Sequence, residues 1–388
     1  MLERFDLKSG LRGSTPYLYE LECLRGLAIL MVFAFHAYGV SLGADMRQHS
    51  IMASFMVSGN SGVTLFFVLS GFLLSLPWLN FLLGNTASPP NNFNFYSARF
   101  LRIIPLYYLA VLVSVLATGK VVEGANAAIF SFIGFDIFPY SVVWWTLATE
   151  VQFYLLLPVL FMAWSHSNFT RAVLLLVFCV WAYSYITLVI LNGLPATSMT
   201  YFYTKSLFGR FPAFLIGILA AVLYLTLKRH TGFDRHKNSL RVVSMVMSIG
   251  FIFLLGVVLQ KSAIMGDAKA EKFWHIRHVY EALLWAAIML TLILGKPVGG
   301  FLLTNRAMAI TGKISYSLYL VHVPILFYII YPAKNSLGVA EYSTSPYLYV
   351  YALLSLFASV VLATCTYKLI ELPFLNLKHK LPVYLRGS

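Results

Sequence analysis

The stretch Glu20–Val40, ELECLRGLAILMVFAFHAYGV, is long and apolar enough to cross a membrane as a helix. It carries Arg25 near its start and His36 well inside its apolar part. At a rise of about 1.5 Å and a turn of about 100° per residue, the two side chains lie about 16 Å apart on one face. A snorkelling arginine and a histidine bonded within a bundle would explain this pattern. Because ionisable groups at membrane depth cost free energy, a functional role is the default hypothesis.

The composition around this stretch excludes a soluble protein. Of 388 residues, 60% are hydrophobic and 11% are charged, whereas soluble domains carry about 25% charged residues. The net charge of +14 would suggest a nucleic-acid partner in a soluble protein. Here the positive residues lie in loops, where a cytoplasmic bias explains them without nucleic acid. The composition therefore predicts an all-α, polytopic membrane protein.

Ten segments have the length of about twenty apolar residues that spans a bilayer. They form one membrane domain over 1–388, with cytoplasmic tails at 1–19 and 372–388. Of the 28 Lys and Arg residues, eighteen fall on the side of the N-terminus and nine on the other, with Arg25 left out. This excess predicts that both termini are cytoplasmic. The predicted segments are 20–41, 59–80, 96–117, 143–164, 172–192, 207–227, 241–260, 276–294, 312–331 and 347–370.

The longest connection, 118–142, contains an apolar stretch, Ala127–Phe138, that is too short to span a membrane. We interpret it as a re-entrant or interfacial segment and as a candidate lid or acceptor-binding loop. The following segment, WWTLATEVQFYLLLP (Trp144–Pro158), places Thr146, Glu150 and Tyr154 on one polar stripe. A carboxylate at this depth is protonated, paired or in a wet cavity, and we expect His36, Arg210 or Arg277 as the partner of Glu150.

Two further segments place polar groups on one helix face. In YSARFLRIIPLYY (Tyr96–Tyr108), Arg99 and Arg102 share a face at the start of a helix, where paired guanidinium groups suit a phosphate ligand. An anchor following the positive-inside rule is the alternative. In GKISYSLYLVHVP (Gly312–Pro324), Ser315, Tyr319 and His322 share a face, and His322 is either a site residue or a histidine bonded inside the bundle.

Two more patterns have weaker functional implications. His275, His278 and Glu281 are spaced unlike a zinc-binding helix, so we predict no metal and instead a patch that faces a polar acceptor. The small residues of Gly59–Ser75 allow helices to approach closely, and they suit a ligand channel equally well.

Taken in order, these motifs resemble the acyltransferase-3 family of integral membrane O-acyltransferases over nearly the whole chain. The resemblance implies ten helices and transfer of an acyl group, usually acetyl from acetyl-CoA, to a hydroxyl of a glycan. It also implies a bacterial inner (plasma) membrane location in the cell envelope, no bound cofactor, and the stand-alone type without an extra esterase-like domain. The matching features are Arg25 with His36, Leu65–Leu74, Arg99–Pro105, Trp145–Pro158 and Ile314–His322.

With this resemblance, the residues receive hypothetical roles. His36 deprotonates the acceptor hydroxyl or carries the acyl group itself, because imidazole titrates near neutral pH. Glu150 tunes the imidazole or orients the acceptor. The expected acyl-CoA ligands are Arg25, Arg99 and Arg102, and the expected acceptor or oxyanion ligands are Tyr154, His322 and Ser315.

Other functions fit the same residues. A transporter or flippase of a glycan or lipid also needs intramembrane His and Glu, although no inverted halves are apparent. A structural or sensory protein would tolerate replacement of these groups. An acyltransferase acting on a lipid or small molecule is a further alternative. The acceptor, the acyl chain length and the oligomeric state stay open.

Overall fold

A computed structural model describes residues 18–42, 50–131, 136–191, 204–229, 237–265, 272–338, 342–343 and 346–377. The side chains of residues 237, 238 and 272–275 fall outside this description. Within these ranges the protein is helical, without strands, and ten helices are long and apolar enough to cross a membrane. The predicted all-α, polytopic architecture and the ten predicted spans are therefore confirmed.

The helices follow the predicted order, with short helices between some of the spans. The last span differs from its prediction, because a π-helical turn, Tyr367–Glu371, continues it to Leu377 and into the predicted tail. The α-helices are α1 (Tyr19–Leu42), α2 (Ile51–Val57), α3 (Ser61–Leu82), α4 (Asn92–Thr118), α5 (Val121–Ala128), α6 (Trp144–His166), α7 (Asn168–Tyr185), α8 (Leu207–Arg229), α9 (Lys237–Met265), α10 (Lys272–Leu290), α11 (Arg306–Lys313), α12 (Ser315–Leu337), α13 (Tyr347–Thr366) and α14 (Leu372–Leu377).

Helix α3 is the central helix of the bundle. Of the residues in its most apolar stretch, 78% are buried. The corresponding share is 11% for the span that contains α7 and 17% for the last span, so these two spans turn most of their surface outward. Gly71 of α3 lies so close to the backbone of Phe214 that a Cβ atom there would collide with its carbonyl group. The Phe214 ring stacks on Phe67 and on Phe153, with ring centroids 4.7 and 4.1 Å apart. Small residues therefore allow the close helix approach that the sequence predicts.

The start of α1 is held against the short helix α11. Gly26 of α1 lies against the backbone carbonyl of Met308, and Gly312 of α11 lies against that of Glu22. Both contacts require the absence of a Cβ atom. Because α12 begins directly after α11, this packing places Ser315 beside the first turns of α1.

The connection after α4 folds back onto that helix. The hydroxyl of Tyr107 donates to the carbonyl oxygen of Ala127 at 2.9 Å, and that of Tyr108 donates to Ala128 at 3.1 Å. These bonds hold α5 against α4. Part of the stretch predicted to be re-entrant, residues 132–135, lies outside the described residues, so its role as a lid stays a prediction.

Candidate active site

A cavity of about 240 Å³ opens among α1, α3, α4, α6 and α12. Its three arginines come from the N-terminal halves of α1 and α4, and we call the end of the bundle at which α1, α4 and α12 begin the arginine end. Apolar side chains of α3, among them Phe66 and Leu69, line the rest. The charged residues that line the cavity are Glu22, Arg25, Arg99, Arg102 and Glu150.

The three arginines that the sequence analysis singles out therefore meet in one cavity. Arg25 donates from Nη2 to the Ser315 hydroxyl at 3.3 Å, and its Nη1 atom lies 3.8 Å from a carboxylate oxygen of Glu22. Arg99 lies over the Phe95 ring at 5.2 Å, and its buried Nε atom lacks a hydrogen-bond partner in the described part of the chain.

Arg102 completes this group of cations. Within the described residues, neither its guanidinium nor that of Arg99 forms a hydrogen bond or a close ion pair. Guanidinium groups are strong, forked donors, and buried donors without partners are rare in folded proteins. The cavity thus presents donors that an anionic ligand is able to satisfy.

Glu150 has different partners from those expected. Its carboxylate accepts hydrogen bonds from Ser70 at 2.8 Å and from Tyr154, one turn further along α6, at 3.0 Å. The predicted partners His36, Arg210 and Arg277 were wrong. The reason is the rotation of α6, which turns Glu150 toward α3 and α4, where Arg99 and Arg102 are the nearby cations.

A buried carboxylate near Arg102, that of Glu371, escaped the sequence analysis. It is 2% exposed, accepts a hydrogen bond from Ser317 at 2.9 Å, and lies close enough to Arg102 to act on its charge. The last predicted span ended at residue 370, which left Glu371 just outside it. A carboxylate next to a long apolar segment was the signal that could have identified it.

The other predicted ligands are already bonded within the protein. Ser315 is buried and accepts from Arg25, and the Tyr154 hydroxyl, in the wall of the cavity, donates to Glu150. Neighbouring Tyr316 donates to the backbone carbonyl of Ile103 at 2.6 Å. The roles of Ser315 and Tyr154 in binding an acceptor or oxyanion stay predictions.

His36 and His322 meet each other rather than lining the cavity. Nε2 of fully buried His322 lies 3.1 Å from Nδ1 of His36, and the ring centroids are 5.0 Å apart. Tyr319 lies next to both, because it lines the cavity wall and its ring centroid lies 5.8 Å from that of His322. The Tyr319 hydroxyl accepts from Thr146 at 2.8 Å and donates to the carbonyl of Val143 at 3.2 Å. Tyr319, which the sequence placed on the same helix face as His322, therefore borders both the cavity and the histidine pair.

The 275–281 patch lies away from the cavity. Glu281 accepts from the hydroxyl of Thr64 at 2.8 Å, and Nε2 of His278 lies 3.3 Å from the hydroxyl of Tyr185. The side chain of His275 lies outside the described residues. Across the described ranges, no group of three or more His, Cys, Asp and Glu side chains has the arrangement of a metal site.

Comparison with known proteins agrees with the resemblance seen in the motifs. A family model described as an acyltransferase domain matches residues 18–364. The protein named O-acetyltransferase OatA from Staphylococcus aureus (strain NCTC 8325 / PS 47) is 25% identical over 389 residues, covering 93% of this chain and 57% of the relative. A putative O-acetyltransferase from Staphylococcus aureus (strain COL) is 24% identical, covering 92% of this chain and 57% of the relative.

The chain therefore spans 57% of the length of these curated relatives. No solved structure matches it. The match of the family model over most of the chain confirms the family predicted from the ordered motifs. The chain belongs to the acyltransferase-3 family and is an integral, multi-pass membrane protein.

Proposed function

We propose that the chain is a membrane O-acetyltransferase that moves an acetyl group from acetyl-CoA to a hydroxyl of a glycan. The observation that carries the proposal is the cavity in which Arg25, Arg99 and Arg102 converge below a pair of histidines. Relatives named O-acetyltransferases support transfer of an acetyl group to an oxygen atom, and the family resemblance of the motifs is the basis for a glycan acceptor.

The choice of acyl-CoA as the donor follows from the positive charge of the cavity. Acyl-CoA carries phosphate groups, and guanidinium forks bind phosphate through paired, charge-assisted hydrogen bonds. Arg99 and Arg102 are free of other hydrogen bonds in the described part of the chain, so they are able to donate without breaking an internal contact. Because acyl-CoA is a cytoplasmic metabolite, the arginine end faces the cytoplasm in this proposal, with both termini on that side of a bacterial plasma membrane.

The size of the cavity limits what enters it. Sites that enclose a whole ligand of drug size have volumes of about 300–1,000 Å³, and this cavity measures about 240 Å³. The narrow acyl-pantetheine arm is the part of acyl-CoA that fits, with the nucleotide held outside by the arginines. The side chains of Phe66 and Leu69 offer this arm an apolar wall.

The reacting group lies beyond Tyr319, at His36. In the proposed reaction, His36 takes the proton of the acceptor hydroxyl, whose oxygen then attacks the thioester carbonyl. Such general-base catalysis contributes about 10²–10⁴-fold to a rate. Tyr319 lines the cavity and lies beside His322, so the thioester passes this residue on its way to His36 in the proposed reaction.

The experiment uses the purified chain in liposomes with acetyl-CoA labelled in the acetyl group and with cell-envelope glycans as acceptors. Label bound covalently to the glycan supports the proposal. A carrier of glycan or lipid, the main rival function, would move its cargo across the bilayer without adding mass. Unlabelled glycan and intact acetyl-CoA after incubation would overturn the proposal.

A further inference from the structure

The contact between His36 and His322 determines which nitrogen of each ring carries a hydrogen atom. His36 comes from α1 and is half-buried, whereas His322 comes from α12 and is fully buried. The Phe33 ring lies 6.3 Å from the His322 ring, and the Phe35 ring lies 5.1 Å from the His36 ring. Among these aromatic rings, the imidazole nitrogens have few hydrogen-bond partners. Each partner determines whether the nitrogen that faces it donates or accepts.

The proton on His322 is assigned by two carbonyl groups. Its Nδ1 atom lies 3.1 Å from the backbone oxygen of Leu318 and 2.9 Å from that of Tyr319. Carbonyl oxygens only accept hydrogen bonds, so Nδ1 carries the hydrogen. In a neutral imidazole the other nitrogen, Nε2, is then an acceptor, and this is the atom that faces His36.

The proton on His36 follows from the same argument. Its Nδ1 atom lies 2.9 Å from the backbone oxygen of Val32 and 3.1 Å from Nε2 of His322. Both neighbours are acceptors, so His36 carries its hydrogen on Nδ1 and shares it between them. Its Nε2 atom therefore bears a lone pair, and it has no hydrogen bond with the described residues.

We propose that His322 is a positioning residue, which holds the proton of His36 on Nδ1 and so makes Nε2 of His36 the reactive nitrogen. This inference rests on the proposed function of His36. It differs from the role of acceptor or oxyanion ligand expected from sequence, since both nitrogens of His322 already have protein partners.

The reaction balances with this arrangement. Nε2 of His36 takes the proton of the acceptor hydroxyl, and the oxygen forms a bond to the thioester carbonyl carbon. The bond from that carbon to the sulfur breaks, and the leaving thiolate receives the proton from Nε2. Between these steps the His36 ring is positively charged, and its Nδ1–H donates to the lone pair of His322, which disperses that charge.

The proton placement is tested directly by solid-state NMR on the full chain, labelled with ¹⁵N-histidine, in lipid bilayers. The His36 signals are those that disappear in His36→Ala. We expect wild-type His36 to be protonated on Nδ1 and bare on Nε2. In His322→Phe the Val32 carbonyl is the remaining acceptor for Nδ1–H, so the share of His36 protonated on Nε2 should rise, and an unchanged share would overturn the inference. A wild-type His36 protonated on Nε2 would overturn the inference. This measurement needs no catalysis, so it decides the inference even where acetyl transfer fails.

Kinetic measurements on variants of His322 distinguish a positioning role from a purely structural one. Loss of a partner that orients a metal-bound histidine costs about 10–100-fold. We expect a similar loss in kcat for His322→Phe, with little change in KM for acetyl-CoA. His322→Gln offers an amide oxygen near the position of Nε2, and it should recover part of kcat. Equal losses in Phe and Gln variants, or a change confined to KM, would contradict a positioning role.

Discussion

Replacing Gly71 by alanine tests the packing that builds the cavity. The added Cβ atom would collide with the carbonyl group of Phe214 on α8. All the atoms that it meets belong to the backbone, so no side-chain rotation relieves the collision and α3 must move away from α8. Forced overpacking of this kind costs about 1–3 kcal/mol.

The chain contains a matched control in Gly250, a glycine of α9 with no atom within 4 Å of an added Cβ. Both substitutions gain the same helix propensity, which is at most about 1 kcal/mol. The propensity therefore cancels, and the free energies of unfolding of the two variants should differ by the collision alone, about 1–3 kcal/mol.

The assay compares the apparent Tm of Gly71→Ala and Gly250→Ala by circular dichroism in one detergent and at one scan rate, because membrane proteins often unfold irreversibly. Gly71→Ala should melt below wild type and Gly250→Ala at or above it. Because Ser70 donates to Glu150 from the neighbouring position, Gly71→Ala should also lower acetyl transfer. Equal Tm values for the two variants would refute the close packing of α3 on α8.

Two further predictions concern the charged groups of the cavity. Arg99→Ala with Arg102→Ala should raise KM for acetyl-CoA at least about tenfold, since one charge-assisted hydrogen bond contributes about 1.5–3 kcal/mol. Exposed Arg171→Ala is the control, and an unchanged KM in the double variant would make both arginines topology anchors. Ser317→Ala removes a donor from a buried carboxylate and should lower stability by about 1–3 kcal/mol. Buried Ser359, whose hydroxyl has no partner among the described residues, should tolerate alanine, and equal Tm values would contradict this difference.

Sequence patterns identified much of the site because the membrane restricts where charge can lie. Arg25 and Glu150 were predicted from their position in apolar segments, and Arg99 and Arg102 from their spacing at the start of a helix. All four line one cavity. The ten spans were identifiable for the same reason, since each must satisfy its own backbone hydrogen bonds.

The contacts that the sequence could not predict depend on how the helices pack. The partners of Glu150 follow from the rotation of α6 against α3, which no local spacing encodes. Glu371 was missed because a π-helical turn carries the last helix past its apparent end. The contact of His36 with His322 joins residues 286 positions apart, and only the crossing of α1 and α12 brings them together.

The central claim is that acetyl transfer takes place at His36. The measurement that tests it most directly is the rate at which label passes from acetyl-CoA to glycan in liposomes containing wild type, His36→Ala or the control His166→Ala, an exposed histidine at the end of α6. We predict that His36→Ala inserts normally and loses about 10²–10⁴-fold in rate, while His166→Ala keeps the wild-type rate. Wild-type transfer by an inserted His36→Ala chain would contradict the account.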